Sequence, residues 1–333
     1  MYAGVHGYSA PAMPAASADE IRDVNARYHD VAASDYDAKW GISYEEPGRR
    51  LVVAKLSKTL GAPAAGFGRA LEIGSGTGYF SLNLARAGLI GELVATDISQ
   101  GMLDELAASA RRLGVSVETV CTESERLPFE DDSFDLVFGH AVLHHLPDLD
   151  ASFREFRRVL RPGGRIAFCG EPSFHGDRLA AFPKRAAMAV APYWRRLLGV
   201  GPRVDDFSDE AEAVEHGLEH VVDVHAFTPE QLERLAAAAG FETVRVSGEE
   251  LVAGWFGWAN RTLESTAEPR QIPHLWHHYA YRGYMALKQL DDRLLERALP
   301  PAIFYNLLVS AQVPLDAARA QPATAPRAAA AAR

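Results

Sequence analysis

The sequence predicts an α/β fold built on a mostly parallel sheet with helices on both faces. Three observations support this prediction. Short apolar segments alternate with amphipathic segments, an order typical of parallel strands joined by helical crossovers. One apolar run ends at three glycines spaced by two, Gly74, Gly76 and Gly78, and a helical pattern follows directly. With 333 residues, 48% of them hydrophobic, the chain is long enough for a large core with added segments.

The predicted elements follow one another in a regular order. Apolar runs flanked by turn residues predict strands at 69–73, 92–96, 116–121, 134–139, 165–170, 241–247 and about 250–256. Apolar residues at helical spacing predict helices at 19–33, 47–60, 79–87, 101–113, 150–160 and 228–239. Pro162-Gly163-Gly164 ends the helix before the fifth strand, and Thr228-Pro229-Glu230 is typical of a capped helix start.

The run Leu71-Glu72-Ile73-Gly74-Ser75-Gly76-Thr77-Gly78 predicts a nucleotide-like cofactor pocket near residue 75. Glycine has no Cβ, so a ligand can press against the backbone of such a turn, and the next helix aims its free N–H groups at that ligand. A dinucleotide site requires G-x-G-x-x-G, whereas here Tyr79 stands where the third glycine is expected. Glu72 would repel a pyrophosphate, and it favours a ligand with an ammonium group.

Asp97 ends the second predicted strand, at the position where an acidic residue can bind a ribose. Its carboxylate can accept hydrogen bonds from both ribose hydroxyls of an adenosine. Aspartate is also a preferred helix N-cap, so a capping role for the helix at 101–113 stays open. Adenosine occurs in several cofactors, and Asp97 alone therefore does not distinguish among them.

Three further stretches complete an ordered series of motifs. They are Glu123-Ser124-Glu125-Arg126-Leu127-Pro128-Phe129 before Asp132-Ser133-Phe134-Asp135, then Ala141-Val142-Leu143-His144-His145-Leu146, and Phe156-Arg157-Arg158-Val159-Leu160-Arg161-Pro162-Gly163-Gly164. With the glycine run, this series resembles the class I methyltransferases, and in particular the family that includes the ubiquinone and menaquinone biosynthesis enzymes. The resemblance covers roughly residues 50–170. It implies a Rossmann-like seven-stranded sheet, the cofactor S-adenosyl-L-methionine, and methyl transfer to an O, N or C nucleophile.

The same resemblance implies roles in cofactor binding for individual residues. Glu72 and the three glycines would hold the methionine part, Asp97 the ribose, and Ile98 would pack on the adenine. Glu123 stands where the family usually has an Asp that bonds the adenine amino group, and Ser124 would offer its backbone N–H to the ring. Tyr28 and Tyr36 resemble the N-terminal segment that closes over the cofactor, although ordinary helix packing stays open for both. The full expected set is Tyr28, Tyr36, Glu72, Gly74, Ser75, Gly76, Gly78, Asp97, Ile98, Met102, Glu123, Ser124 and His140.

Two residues are candidates for a general base, which is needed only if the acceptor has a proton to lose. The resemblance places His140 near the sulfonium, and histidine titrates near neutral pH. Glu171 follows the fifth strand and is the second candidate. His144-His145 is interpreted as structural, because this pair accompanies varied acceptors in the family. No metal site is expected.

The elements and the resemblance together predict a division of the chain. Disordered tails are expected at 1–18 and 319–333, with N-terminal helices over the cofactor at 19–65 and the S-adenosylmethionine-binding core at 66–170. A helical lid insertion follows at 171–226, then the end of the core sheet at 227–260 and a helical C-terminal extension at 261–318. The extension is expected to pack on the core or to form a homodimer.

The lid insertion has an uneven charge pattern. Six basic and no acidic residues occur from Arg178 to Val204, and eight acidic residues without Lys or Arg follow from Asp205 to Asp223. Two interpretations stay open: the basic, apolar half handles an anionic or lipid-like acceptor, or two solvated faces neutralise each other.

The composition narrows the class of function. A net charge of −10 argues against a general nucleic-acid binder. Because neither a signal-peptide pattern nor an apolar run of about 18 residues is found, we expect a cytoplasmic location without stable membrane insertion. The expected partner is a small-molecule methyl acceptor. A macromolecular methylase, an NAD-dependent dehydrogenase and a cofactor-binding protein without turnover are the alternatives.

Overall fold

A computed structural model describes residues 17–33, 42–203 and 225–316. Its strands are β1 (Phe67–Ile73), β2 (Ile90–Asp97), β3 (Glu118–Cys121), β4 (Phe134–His140), β5 (Leu160–Pro172), β6 (Glu242–Glu249) and β7 (Asn306–Gln312). They form one seven-stranded sheet in the order β3-β2-β1-β4-β5-β7-β6. Strands β1 to β5 pair in parallel, and β7 is antiparallel to both β5 and β6. The predicted Rossmann-like, mostly parallel sheet is confirmed.

Helices cover both faces of this sheet. They are α1 (Ala18–Ala32), α2 (Glu46–Leu60), α3 (Tyr79–Arg86), α4 (Gln100–Leu113), α5 (Leu149–Val159), α6 (Phe174–Leu198), α7 (Pro229–Ala238), α8 (Val252–Ser265), α9 (His274–Leu290) and the short α10 (Glu296–Ala298). Apolar side chains of α2, α3 and α4 pack on one face of the sheet, and those of α5 and α7 pack on the other. This arrangement is the one expected for parallel strands joined by helical crossovers.

The seventh strand lies elsewhere than predicted. Residues 250–256 begin α8, whereas β7 comes from the segment expected to be a helical extension. In a short apolar run, the spacing of apolar residues does not distinguish a buried strand from a buried helix, so the sequence pattern is ambiguous here. Pairing with both β5 and β6, together with burial of Leu307, Leu308 and Val309, decides for a strand. The predicted end of the core sheet at residue 260 is therefore corrected to Gln312; the other boundaries stay predictions.

Helix α6 occupies the first half of the predicted lid insertion. On its inner side, the Trp194 ring lies 5.0 Å from that of Trp276, in a small apolar cluster between α6, α8 and α9. On its outer side, Phe182, Tyr193 and Leu197 are 69%, 77% and 83% exposed. Exposed arginines accompany them at positions 178, 185 and 196. The acidic half of the charge pattern, at 205–223, lies outside the described residues.

Within the described ranges, none of the helices combines the length and the apolar character needed to span a membrane.

Candidate active site

The turn between β1 and α3 requires glycine for two different reasons. Gly74, Gly76 and Gly78 have positive φ angles of +60°, +51° and +88°. A Cβ at Gly74 would lie 2.3 Å from Val142 Cγ2, and one at Gly78 would lie 2.8 Å from Leu106 Cγ. No heavy atom lies within 4 Å of the Cβ position at Gly76. Two glycines therefore let the turn pack closely against the protein, and the third leaves an open side for a ligand.

Glu72 is a buried carboxylate at the base of this turn. It is 1% exposed, and its Oε2 atom has no hydrogen-bond partner among the described residues. Burial, together with the negative charge of Asp97, raises the pKa of Glu72 to about 8. An ionised carboxylate buried without a cation is unfavourable. The site is therefore suited to an ammonium group, such as the one on the methionine part of S-adenosylmethionine.

Asp97 connects the end of β2 to the glycine turn. Its Oδ2 atom accepts a hydrogen bond from the Gly76 N–H at 2.8 Å, and its Oδ1 atom accepts one from the Ser99 N–H at 2.9 Å. The N-cap of α4 is Ser99, whose hydroxyl accepts the Met102 N–H at 3.1 Å. The alternative role of Asp97 as a helix cap is thus excluded, and its role in ribose binding stays a prediction.

Helix α1 lies across the carboxyl edge of β2 and β3. Arg22 Nε lies 2.9 Å from Glu123 Oε2. Asp30 Oδ1 accepts hydrogen bonds from the Ser99 hydroxyl at 2.5 Å and from the Gly101 N–H at 3.0 Å. These contacts place α1 over the edge where the adenosine part of the cofactor is expected. They also occupy Glu123, the residue expected to bond the adenine.

The remaining predicted cofactor residues lie near this edge. Met102 and Ser124 are buried, and Ile98 is partly buried beside them. Tyr28, on α1, is buried and contributes to the wall of the cavity described next. Tyr36 lies outside the described residues. For all of these residues, contact with the cofactor stays a prediction.

A cavity of about 1760 Å³ runs from the glycine turn to helices α8 and α9. Typical ligand pockets measure about 300–1,000 Å³, so this one has room for a cofactor and an acceptor together. The residues at its cofactor end include Tyr28, Glu72, Gly74, Ser75, Gly76 and His140. Lys55 lies between the two ends, near enough to His140 for its charge to lower the pKa of that ring. The residues at the far end include Glu249, Trp258, Tyr281, Tyr284 and Lys288. Asp97, Ile98, Met102, Glu123 and Ser124 are not part of this lining but lie beside it, at the edge crossed by α1.

His140 ends β4 and lines the middle of the cavity. Its ring stacks on Phe80 at a centroid distance of 5.2 Å, with 18° between the planes. A Cβ at Gly170, on β5, would lie 3.0 Å from His140 Nε2, so this neighbour has to be small. Burial and the charge of Lys55 lower the pKa of His140 to about 3. The imidazole is therefore neutral near pH 7, and it is a weaker base than the sequence suggests.

Glu171 does not occupy the position that a catalytic base needs. It is fully buried and accepts hydrogen bonds from the backbone N–H groups of Val142, Leu143 and His144 at 3.0, 3.1 and 3.2 Å. Its Oε2 atom also lies 2.8 Å from His144 Nδ1. The carboxylate is absent from the cavity lining, whereas His144 and His145 belong to it. We therefore correct the predicted role: Glu171 positions the turn that carries the two histidines.

A charged cluster that extends from Lys55 to the far end of the cavity was not predicted from the sequence. Its members are Lys55, Lys58, Glu249, Lys288, Asp292 and Glu296. They come from α2, from the end of β6 and from the region around α9. In the sequence, lysines at 55 and 58 suit an exposed helix face as well as they suit a buried charged cluster. The acidic pair Glu249-Glu250, beside an apolar strand, was the only sequence signal for the cluster.

Another buried carboxylate, Asp291, connects the C-terminal region to the core. Asp291 begins a π-helical turn, Asp291–Leu295, and is fully buried. Its side chain accepts the N–H groups of Leu251, Val252 and Ala253 at 3.0, 3.2 and 2.9 Å. It thus satisfies the first amides of α8, which lack partners within that helix. Helices α8 and α9, which carry Trp258 and Tyr284, are thereby held together at the cavity.

Comparisons with known proteins agree with this geometry. A family profile described as "Methyltransferase domain" matches residues 71–168. The chain is 32% identical, over 240 residues, to malonyl-(acyl-carrier protein) O-methyltransferase of Methylococcus capsulatus, and the match covers 72% of this chain and 78% of the relative. It is 42% identical to demethylmenaquinone methyltransferase of Clavibacter sepedonicus over 110 residues, which are 32% of this chain and 42% of the relative.

Solved structures show the same fold. Phosphoethanolamine N-methyltransferase 2 of Haemonchus contortus, in complex with phosphomonomethylethanolamine and S-adenosylhomocysteine, aligns with a TM-score of 0.54 at 17% identity, over 91% of this chain and 61% of that one. The (4+2)-cyclase SpnF aligns with a TM-score of 0.53 at 20% identity, over 91% of this chain and 99% of that one. Three findings indicate the same cofactor, S-adenosylmethionine. They are the family profile, the long match to malonyl-(acyl-carrier protein) O-methyltransferase, and the buried Glu72 Oε2 atom without a hydrogen-bond partner among the described residues. The chain belongs to the class I S-adenosylmethionine-dependent methyltransferases.

Proposed function

We propose that this methyltransferase acts on an O, N or C nucleophile of a small molecule with an apolar or lipid-linked body. The observation that carries this proposal is the continuity of the cavity. The same space reaches from Glu72 and Gly76, at the cofactor end, to Trp258 and Tyr284, at the far end. An acceptor of moderate size can therefore enter the cavity and reach the cofactor.

The residues of this chain act mainly by binding and positioning. When bound, S-adenosylmethionine supplies a methyl group on a positively charged sulfur, which makes the methyl group reactive toward nucleophiles. Glu72 would pair with the ammonium group, and Gly76 leaves the backbone accessible beside it. The neutral ring of His140 borders the acceptor path. In favourable intramolecular systems such positioning contributes about 7–11 kcal/mol.

Two features support an acceptor with an apolar body. Aromatic rings of Trp258, Tyr281 and Tyr284 line the far end of the cavity. The outer side of α6 exposes Phe182 and Tyr193 beside arginines, a composition typical of helices that bind amphiphilic molecules or lipid surfaces. The relatives' names include a malonyl group on a carrier protein and demethylmenaquinone, so acceptors with bulky attachments occur among similar proteins.

The other expectations about partners belong to the same proposal. The net charge of −10 supports a protein that does not bind nucleic acid, and the cytoplasmic location is proposed with it. A homodimer through the C-terminal region is supported by α9, which leaves Leu275 and Tyr279 exposed by 83% and 53%. A macromolecular methylase and a cofactor-binding protein without turnover are the alternatives that the following experiment separates.

The proposal is tested with methyl-labelled S-adenosylmethionine, the purified protein and an extract of its source cells. The label is counted in organic-soluble, aqueous small-molecule and precipitated fractions, with the Glu72→Ala variant as the control. We expect label in a small-molecule fraction and its loss in the control. Label confined to the precipitate would instead indicate a macromolecular acceptor. Cofactor binding without transfer to any fraction would support a protein without turnover.

A further inference from the structure

The three lysines of the charged cluster are neutralised unequally. Lys58 Nζ lies 2.9 Å from Asp292 and 2.6 Å from Glu296, and it also contacts Glu249 at 3.3 Å. Lys288 Nζ contacts Asp292 at 3.1 Å and Glu249 at 3.3 Å. Among the described residues, Lys55 Nζ contacts a single carboxylate, Glu249 Oε2, at 2.8 Å, and Glu249 is shared with the other two lysines.

Lys55 is placed to use its remaining hydrogen-bonding capacity inside the cavity. Its side chain is 18% exposed and belongs to the lining, together with His140. An ammonium group has three donors, and buried donors without acceptors cost free energy. The charges of Glu249 and Glu250 raise the pKa of Lys55 against the effect of burial, so the group stays protonated at neutral pH. Its charge reaches the ring of His140, whose pKa it lowers.

A second positive charge enters the same cavity with the cofactor. An acceptor that is itself cationic would therefore meet repulsion from both the cofactor and Lys55. An anionic acceptor would be attracted by both positive charges, and Glu249, which pairs with Lys55 and also lines the cavity, is the nearest charge that opposes this attraction. A carboxylate adds a charge-assisted hydrogen bond to the ammonium group, which is stronger than a hydrogen bond between neutral groups.

We propose that the acceptor is an organic acid whose carboxylate binds Lys55 and whose apolar body contacts the aromatic residues Trp258 and Tyr284. This inference rests on the proposed function and narrows it to O-methylation of a carboxyl group. In the reaction, a carboxylate oxygen forms a bond to the methyl carbon while the carbon–sulfur bond breaks. The electron pair of the broken bond remains on sulfur, so a neutral thioether and a neutral methyl ester result. No proton is released, and therefore no general base is needed.

A reaction that needs no general base agrees with the properties of the two candidate bases in this site. His140 is neutral and weakly basic, and the Glu171 carboxylate is occupied by backbone N–H groups and by His144. A phenol, an alcohol or a protonated amine would have to lose a proton near pH 7, whereas a carboxylic acid is already ionised.

The role of Lys55 is tested first by binding, independently of turnover. Octanoate and 4-phenylbutyrate, each paired with its neutral amide, are titrated calorimetrically into the complex of the protein with S-adenosylhomocysteine. We expect the acids to bind better than the amides. Lys55→Met should weaken acid binding at least about tenfold, the loss of a charge-assisted hydrogen bond, and should leave amide binding unchanged. Arg50→Met is the matched control, because Arg50 is an exposed cation on the same helix and lies outside the cavity lining.

Correct folding of each variant is checked by its affinity for S-adenosylhomocysteine, which should equal that of the wild type. Equal binding of acids and amides, or acid binding that is insensitive to Lys55→Met in a folded variant, would overturn the proposal. An equal loss of acid binding in Arg50→Met would likewise overturn the specific assignment to Lys55.

The product provides a second and independent test. Methyl esters release volatile methanol in mild alkali, whereas methyl groups on ether oxygen, nitrogen or carbon do not. Label transferred to a small-molecule fraction of the cell extract is therefore treated with alkali and counted after vapour diffusion. Volatile label supports a carboxylate acceptor. Base-stable label in a small molecule would overturn this inference and leave the proposed function standing. Label found only in macromolecules would reject both.

Discussion

The cofactor end and the acceptor end of the cavity are lined by different kinds of chemical groups. At the cofactor end, backbone groups and one carboxylate come from a continuous stretch, residues 72–78. Toward the acceptor end, long charged and aromatic side chains come from positions as distant as Lys55, Glu249 and Lys288. The first end depends on the conformation of a single turn, and the second depends on how helices pack. Substitutions should therefore separate the two ends: changes at the first alter cofactor affinity, and changes at the second alter only the acceptor.

The largest effect is expected at Glu72. Glu72→Gln should weaken S-adenosylmethionine binding about 100-fold or more, because a charge-assisted hydrogen bond to an ammonium group is lost in a buried site. Calorimetry measures this change, with the exposed Glu92→Gln as the matched control. An unchanged affinity would mean that the cofactor is held without the buried carboxylate.

The same substitution has a second, opposite effect on the ligand-free protein. Burial raises the pKa of Glu72 from 4.5 to about 8, so wild-type stability falls as the pH rises through this interval. Glutamine does not ionise, so the Glu72→Gln variant does not lose stability in this way. We therefore expect the variant to melt at a higher temperature than the wild type above pH 8, with the difference vanishing toward pH 4.5. Thermal unfolding over this pH range measures the difference, and parallel curves would contradict the assignment.

A smaller effect is expected at Asp97, which holds the glycine turn and is predicted to bind the ribose. Asp97→Ala should weaken cofactor binding by about 1–3 kcal/mol, since buried N–H groups of Gly76 and Ser99 lose their acceptor. The melting temperature of the ligand-free variant should also fall. Asp97→Asn is the matched control, because it retains one carbonyl oxygen. A lower melting temperature with wild-type cofactor affinity would leave Asp97 a purely structural role.

The effect at His140 separates positioning from base catalysis. A general base contributes about 10²–10⁴-fold to a rate. Because the pKa of His140 is lowered to about 3, we expect His140→Gln to retain turnover within about tenfold and to leave the pH profile between 5 and 8 unchanged. Wild-type stability should also fall as the pH drops from 6.5 toward 3, and the variant should lack this contribution. Loss of an inflection near neutral pH would restore His140 as a base.

The smallest effect is expected at Arg22, which helps to hold α1 across the adenosine edge. Arg22→Ala removes partly exposed ion pairs with Glu123 and Glu125, which are typically worth about 0.2–1 kcal/mol each. Cofactor affinity should fall a few-fold, and the difference from the wild type should shrink at high salt. Arg27→Ala, on the exposed side of α1, is the control. Equal effects of both substitutions would show that α1 acts through its general charge.

The sequence and the structure agree best where a function depends on local conformation. Glycines at 74, 76 and 78 were expected to form a turn that side chains would obstruct, and all three have positive φ angles, with an open side at Gly76. They disagree where the chemistry depends on a neighbour. Glu171 was expected just after the fifth strand but lies within β5, and its carboxylate accepts the backbone N–H groups of Val142 and Leu143. His140 lines the cavity as predicted, but burial near Lys55 removes the basicity expected of a histidine. No single segment of sequence contains either pair of partners.

The last strand of the sheet illustrates the same limit at the level of the fold. The run from Asn306 to Gln312 is short and apolar, a pattern that also suits a buried helix turn. Only the free edges of β5 and β6, brought together in space, provide the hydrogen bonds that make it a strand.

By itself, then, the sequence determined the α/β class, the cofactor turn and the cofactor, because each depends on the types of residues and on their order and spacing along the chain. The tertiary structure alone decided the position of β7, the environments of His140 and Glu171, and the charged acceptor end. The physical reason is that burial and ion pairing are set by residues distant in the chain, and these acquire their partners only when the helices pack.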